Sequence, residues 1–82
     1  VTRMIFDKLC ELVADQFGVN PDEVTMETSF VDDYNADSID IVELMMAVEE
    51  EFHLGEVEEN ALENIKTIGD VVEYIQARVD ED

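Results

Sequence analysis

The amino-acid sequence predicts an all-α fold of four helices, three of them long and the third in order much shorter, with a long loop joining the first two. Two observations carry that expectation. Apolar residues return at helical spacing in three stretches, each closed by a stop or capping signal. The chain has 82 residues, one domain whose core can bury roughly 60–65% of the surface that the unfolded chain exposes. No internal repeat, low-complexity run or linker to a second domain interrupts residues 1–82.

The first helix is expected over about 3–17. Ile5, Phe6, Leu9, Leu12, Val13 and Phe17 fall on one arc at 100° per residue, with Asp7, Lys8, Glu11 and Asp15 opposite. Gly18 can take the left-handed conformation that ends helices. Asn20-Pro21-Asp22-Glu23 reads as an N-cap followed by proline, a short turn of helix inside a loop that runs to about Asp37. So long a connection needs anchors in a compact domain. Val24, Met26, Phe30 and Val31 are expected to pin it to the core, and long anchored loops are where function tends to sit.

The second long helix is expected over about 38–53. Asp37 is placed to cap it, Asp40 lies three residues on, and Leu54-Gly55 ends it. Ala61, Leu62 and Ile65 give the apolar side of a short helix at about 58–64. Thr67-Ile68-Gly69-Asp70 has the spacing of a capping box, with Asp in place of Glu or Gln. The last helix, about 68–79, buries Ile68, Val71, Val72 and Ile75, and Asp80-Glu81-Asp82 is expected to be a frayed acidic tail.

Charge narrows the function. Four Lys and Arg stand against 23 Asp and Glu, a net charge of −19. The four are Arg3, Lys8, Lys66 and Arg78, so between Cys10 and Ile65 there are 17 acidic residues and nothing basic except His53. Such a surface repels nucleic-acid phosphates and anionic lipid headgroups. It steers instead toward proteins with basic patches, in a salt-dependent way; acidity that only keeps the chain soluble is the alternative. The lone Cys10 cannot form an internal disulfide and is expected to pack part-buried at the edge of the first helix's apolar arc, beside Phe6 and Phe17. There is no run of about 18 apolar residues, so no segment is expected to span a membrane. Nor does a basic start lead into an apolar segment as in a secretory signal, so the expected place is the cytoplasm, or an organelle matrix after loss of a transit peptide. Small size favours a carrier, binding or regulatory role over a stand-alone enzyme.

The helix from Ser38 is the most informative stretch. Ile41, Leu44, Met45, Val48 and Phe52 make a core-facing stripe. Ile39, Val42 and Met46 make a second one that points away, flanked by Asp40, Glu43, Glu49 and Glu50. Either neighbouring helices cover both stripes, or the second is a docking strip in which apolar burial gives affinity and the acids give orientation. Ser38 also has two readings. A serine at a helix start is commonly the cap. Against that, Asp37 is the better-placed cap, the loop exposes the hydroxyl, and a phosphate esterified there would face the N–H groups of the first turn. Asp37 and Asp40 would repel such a phosphodiester, so their acidity suits a partner enzyme's basic residues or metal ion.

Asp37-Ser38-Ile39-Asp40, then Val42-Glu43-Leu44 and Ala47-Val48-Glu49-Glu50-Glu51-Phe52, closely resembles the modification-site helix of type II acyl carrier proteins. That family's pattern reads D-S-L-D, then V-E-L, then a hydrophobic residue before E-E-E-F. The likeness extends from Phe6-Asp7-Lys8 through Asn20-Pro21 and Phe30 to Thr67-Ile68-Gly69-Asp70 and Tyr74-Ile75. The resemblance implies a non-catalytic carrier with an acyl-carrier-like helical bundle. A phosphopantetheinyl transferase would place 4′-phosphopantetheine from coenzyme A on the Ser38 hydroxyl. The arm's thiol would then hold acyl groups as thioesters for fatty acid synthesis enzymes and acyltransferases with basic docking patches.

By the same resemblance Asp37, Ile39, Asp40, Val42, Glu43, Met46, Glu49 and Glu50 are partner-binding residues. Phe30, Met45, Val48, Leu62 and Ile65 would shelter the acyl chain. No resident metal is implied, and the chain is expected to act as a monomer. Three places depart from the family pattern. Tyr34-Asn35 stands for Leu-Gly, which bears on how the loop presents Ser38. Ile41 stands where a small polar residue is common. His53-Leu54-Gly55-Glu56-Val57 lacks the proline of many relatives, which bears on the pocket's shape.

Rival chemistries fit less well. Asp33, Asn35 and Asp37 have the 1, 3, 5 spacing of an EF-hand, but the sixth position is Ser38 rather than Gly and the twelfth is Leu44, with Glu43 one place early. Weak, non-specific divalent binding to the acidic face is expected instead. A hydrolase would need Ser38 and His53 to meet across roughly 22 Å of one helix; His53 reads more simply as a helix C-terminal residue. Carriers of a specialised pathway, polyketide or D-alanyl, share the resemblance. A peptidyl carrier has glycines and histidine before its serine, which Asn35-Ala36-Asp37 lacks.

Overall fold

Leu9 and Val13, Leu44 and Val48, and Ile68, Val71 and Ile75 are wholly withdrawn from solvent into one apolar cluster. They lie on three of the five α-helices seen in the computed structural model, which describes residues 2–55 and 59–79. In chain order these are α1 (Thr2–Phe17), α2 (Phe30–Tyr34), α3 (Ser38–Phe52), α4 (Glu59–Asn64) and α5 (Ile68–Val79). α1 packs against both α3 and α5, so its apolar arc is the wall that the other two long helices share. The all-α class is as the periodicity predicts. α2 is an addition, a helix inside the stretch expected to be loop.

Local chemistry sets the ends of these elements. α1 stops at Gly18, φ 67°, whose N–H reaches the Ala14 carbonyl at 2.8 Å. The Asn20 side chain caps the 3-10 turn Pro21–Glu23 by accepting from the Asp22 amide. α3 ends one residue before the expected His53. His53 itself takes the left-handed conformation, φ 56°, and both its amide and that of Leu54 turn back to the Glu49 carbonyl. At α5 the expected box is complete: the Thr67 hydroxyl accepts from the Asp70 amide at 3.2 Å, and the Asp70 carboxylate accepts from the Thr67 and Lys66 amides. At the other end Arg78 lies over the Tyr74 ring, 3.9 Å from its centroid. The expected first residue of α4, 58, lies outside the described residues, as do 56–57 of the preceding loop and the acidic tail 80–82.

The long connection is held differently from expectation. Val24 and Phe30 are buried, but Met26 and Val31 are 41% and 57% exposed. Backbone hydrogen bonds supply the remaining anchors. Ile68 donates to Thr28, Gly69 to Met26 and Phe30 to Lys66, around an isolated antiparallel bridge between Ser29 and Thr67. Thr28 is itself buried, and its hydroxyl accepts from the Thr25 amide at 2.9 Å. Cys10, expected part-buried, is buried in the core cluster, and burial pushes its thiol above the usual pKa. A thiol there is a packing group rather than a nucleophile.

Candidate functional site

α2, only five residues, brings the chain to Ser38. Ser29 caps it by accepting from the Asp32 amide, and the Asp33 carboxylate reaches back to the Ser29 amide at 2.7 Å. It ends at Asn35, which takes the left-handed conformation at φ 54°. Ala36 is buried and donates to the Phe30 carbonyl at 2.9 Å. The chain then reaches Asp37, whose carboxylate accepts from the Asp40 amide at 3.0 Å, while the Asp40 carboxylate accepts from the Asp37 amide at 3.2 Å. This reciprocal capping box settles which residue caps α3. Ser38 is the first helical residue, exposed, and its hydroxyl is not the cap.

The two apolar stripes of α3 part as their spacing suggests. Leu44, Met45 and Val48 are buried, and Ile41 and Phe52 pack half-buried against the core. Ile39, Val42 and Met46 stand 65%, 38% and 57% exposed, so the neighbouring helices do not cover them. Around them Glu43 and Glu50 are exposed and Asp40 and Glu49 half-buried. The carboxylates are not equivalent. Glu43 accepts a hydrogen bond at 3.0 Å from the Gln16 amide of α1. Glu51 pairs with Lys8 of α1 at 3.1 Å, and that hydrogen bond, with the attraction behind it, holds the lysine above its ordinary pKa. Gln16 and Lys8 are neighbours of the α3 carboxylates that local sequence patterns do not reveal. Lys8 lies on the polar side of α1 and Gln16 within its apolar arc at the C-terminal end, and only the packing of α1 on α3 brings each to a glutamate.

Phe30, Met45, Val48 and Ile65 are buried in the common core, and Leu62 packs half-buried against it. The five residues named for acyl shelter are thus brought into one apolar cluster. The rival constellations come apart. Asp33 and Asp37 turn their carboxylates to the amides of Ser29 and Asp40, and Asn35 is a helix stop. Among the described residues, no three His, Cys, Asp or Glu side chains are grouped to hold a metal ion. Ser38 and His53 sit at opposite ends of α3. No helix among the described residues is long and apolar enough to cross a membrane.

Comparison with known proteins agrees with this geometry. Residues 7–75 match the model of the phosphopantetheine attachment site family. The acyl carrier protein of Clostridium perfringens is 58% identical over 71 residues, covering 87% of this chain and 92% of that one. That of Clostridium acetobutylicum is 50% identical over 78 residues, covering 95% and 100%. Among solved structures, the acyl carrier protein from Enterococcus faecalis superposes with a TM-score of 0.77 at 31% identity, over 95% of this chain and 98% of that one. A capped helix headed by an exposed serine, in a fold and sequence shared over nearly the whole chain, places the protein: it belongs to the acyl carrier protein family, the phosphopantetheine-bearing carriers of acyl groups in fatty acid synthesis.

Proposed function

We propose that Ser38 is the residue that bears the 4′-phosphopantetheine arm, and that α3 presents the loaded arm to the enzymes of fatty acid synthesis. The observation that carries this reading is the exposed Ser38 hydroxyl at the head of a helix already capped by Asp37. The residues fit the group. The hydroxyl is not needed for capping, and the amides of the first turn favour an anion beside them. When bound, the arm supplies a thiol that holds acyl groups as thioesters.

The chain's own residues provide attachment and address. Asp37 and Asp40 direct their carboxylates at backbone amides, so neither is set to take the Ser38 proton; that proton leaves to the phosphopantetheinyl transferase. The chain is therefore a substrate of enzymes and not an enzyme. Ile39, Val42 and Met46, with Asp37, Asp40, Glu43, Glu49 and Glu50 around them, form the face read by the transferase, the synthesis enzymes and acyltransferases with basic patches. Phe30, Met45, Val48, Leu62 and Ile65 line the interior into which an acyl chain folds. We read residues 1–82 as one carrier domain acting as a monomer in the cytoplasm.

The test is intact mass after incubation with coenzyme A, magnesium and a broad-specificity phosphopantetheinyl transferase. A gain of one arm is expected in the native chain and none in Ser38→Ala. An equal gain in both would refute the assignment.

A further inference from the structure

Between the end of α2 and Ser38 the chain has three residues in which to turn: Asn35, Ala36 and Asp37. Asn35 makes the turn at φ 54°, ψ 37°, the left-handed stop that asparagine takes more readily than other residues with a side chain, though at some cost relative to glycine. Its amide donates to the Val31 carbonyl and that of Ala36 to the Phe30 carbonyl, each at 2.9 Å, so the turn is closed onto α2 itself. α2 has five residues, too few to be stable as a helix alone. At its start the Phe30 amide is bonded to the Lys66 carbonyl; the position of its far end depends on side chains that tie it to the larger helices.

Those ties are aromatic. The Tyr34 ring, on the last residue of α2, stacks on Phe17 of α1 with centroids 5.2 Å apart and planes at 26°. Phe17 also meets the buried Phe30, at 6.0 Å. α1 is in turn held by α3 and α5. Burial, and then the Asp33 carboxylate, keep the Tyr34 phenol above its ordinary pKa, against a hydrogen bond with Thr28 that works the other way. Tyr34 is the last aromatic tie before the chain turns toward Ser38.

We propose, on the footing that Ser38 is the attachment point, that Tyr34 is a positioning residue for arm transfer: stacked on Phe17, it holds the left-handed turn at Asn35 and keeps the Ser38 hydroxyl in the orientation that the transferase reads. Without the stack, the turn opens in a fraction of molecules while the three long helices stay folded. Only the closed fraction binds productively. Apparent affinity falls by that fraction, and chemistry in the bound complex is unchanged.

Arm transfer to the full chain, followed by intact mass at varied chain concentration, separates these quantities. Tyr34→Phe keeps the ring, gives up only the hydroxyl's bond with Thr28, and is expected to retain the native KM. Tyr34→Leu is expected to raise KM about fivefold or more with kcat unchanged. Phe17→Leu should do the same, and the two together should add little beyond either. Amide exchange provides the local readout: in Tyr34→Leu the Ala36 amide loses protection, while those of Leu44 and Val48 keep theirs. A native KM in Tyr34→Leu, or an equal rise in Tyr34→Phe, overturns the proposal. So does loss of protection at Leu44 and Val48 alongside Ala36, which would make Tyr34 a general stabiliser. A mass gain that persists in Ser38→Ala overturns the attachment reading, and this one with it.

Discussion

Gly69 is the second residue of α5, and its amide meets the Met26 carbonyl at 2.8 Å. A Cβ added there would lie 3.0 Å from the same oxygen and 3.7 Å from the Met26 methyl. The obstacle is backbone, so it cannot rotate away. Alanine gains up to about 1 kcal/mol of helix propensity over glycine in a helix interior, and less at the second position of a helix. Against that stand the strain and the weakening of a hydrogen bond worth about 1 kcal/mol. Gly69→Ala is therefore expected to be net destabilising by about 1 kcal/mol, or roughly 4–8 °C in melting temperature for a domain of this size. Thermal unfolding followed by circular dichroism checks it, and a raised Tm would sink the argument. At this scale, what could be read from sequence was chemistry complete within four residues. The caps at Asn20, Asp37 and Thr67–Asp70 were readable for that reason. Asn35 closes α2 by equally local chemistry, asparagine being a residue that takes the left-handed stop beside glycine. The full burial of Cys10 and the outward turn of Met26 and Val31 depend on how distant segments pack, and no local signal announces them.

The elements divide along the same line. α1, α3 and α5 are long enough for the 3.6-residue period to show, and their buried faces are those that the period marks. α2 has one buried residue, Phe30, and one turn has no period to detect; only Ser29 with Asp32 three residues on hints at a cap. α3 is the element whose exterior carries the functional expectation. Its Ile39, Val42 and Met46 strip lies open beside Glu43, which the Gln16 hydrogen bond steers. Reversing that charge replaces an attraction to a basic partner with a repulsion, each about 1 kcal/mol at 4 Å in water. Glu43→Lys is thus expected to slow transfer to and from partner enzymes by roughly 5- to 30-fold at low salt, converging on the native rate as salt rises. Helicity should be unchanged, since Glu43 is exposed. Native rates at low salt would show that the carboxylate does not direct docking.

The whole molecule holds 23 carboxylate side chains against four cationic ones on a body whose described part measures 31 × 27 × 19 Å. Neighbouring charges on such a body lie within a Debye length of about 10 Å at 0.1 M salt, so their repulsion is only partly screened. It works against a fold whose margin, at 82 residues, is only about 4–12 kcal/mol. Screening should therefore stabilise the protein, by about 4–8 °C of Tm for each kcal/mol of repulsion relieved. Sodium chloride should act gradually. Magnesium and calcium should both act at far lower ionic strength, because divalent ions gather at an acidic surface, and neither should show a sharp stoichiometric end point. A calcium-specific, saturating rise would instead demand a built site, which the divergent carboxylates of Asp33 and Asp37 do not offer. A Tm indifferent to salt would mean that repulsion among the carboxylates does not limit the fold. The same ions that steady the fold also screen the acids of α3 from a basic partner. Tm and docking rate measured on one sample should then move in opposite directions as salt is raised, because one set of carboxylates strains the fold and directs the encounter.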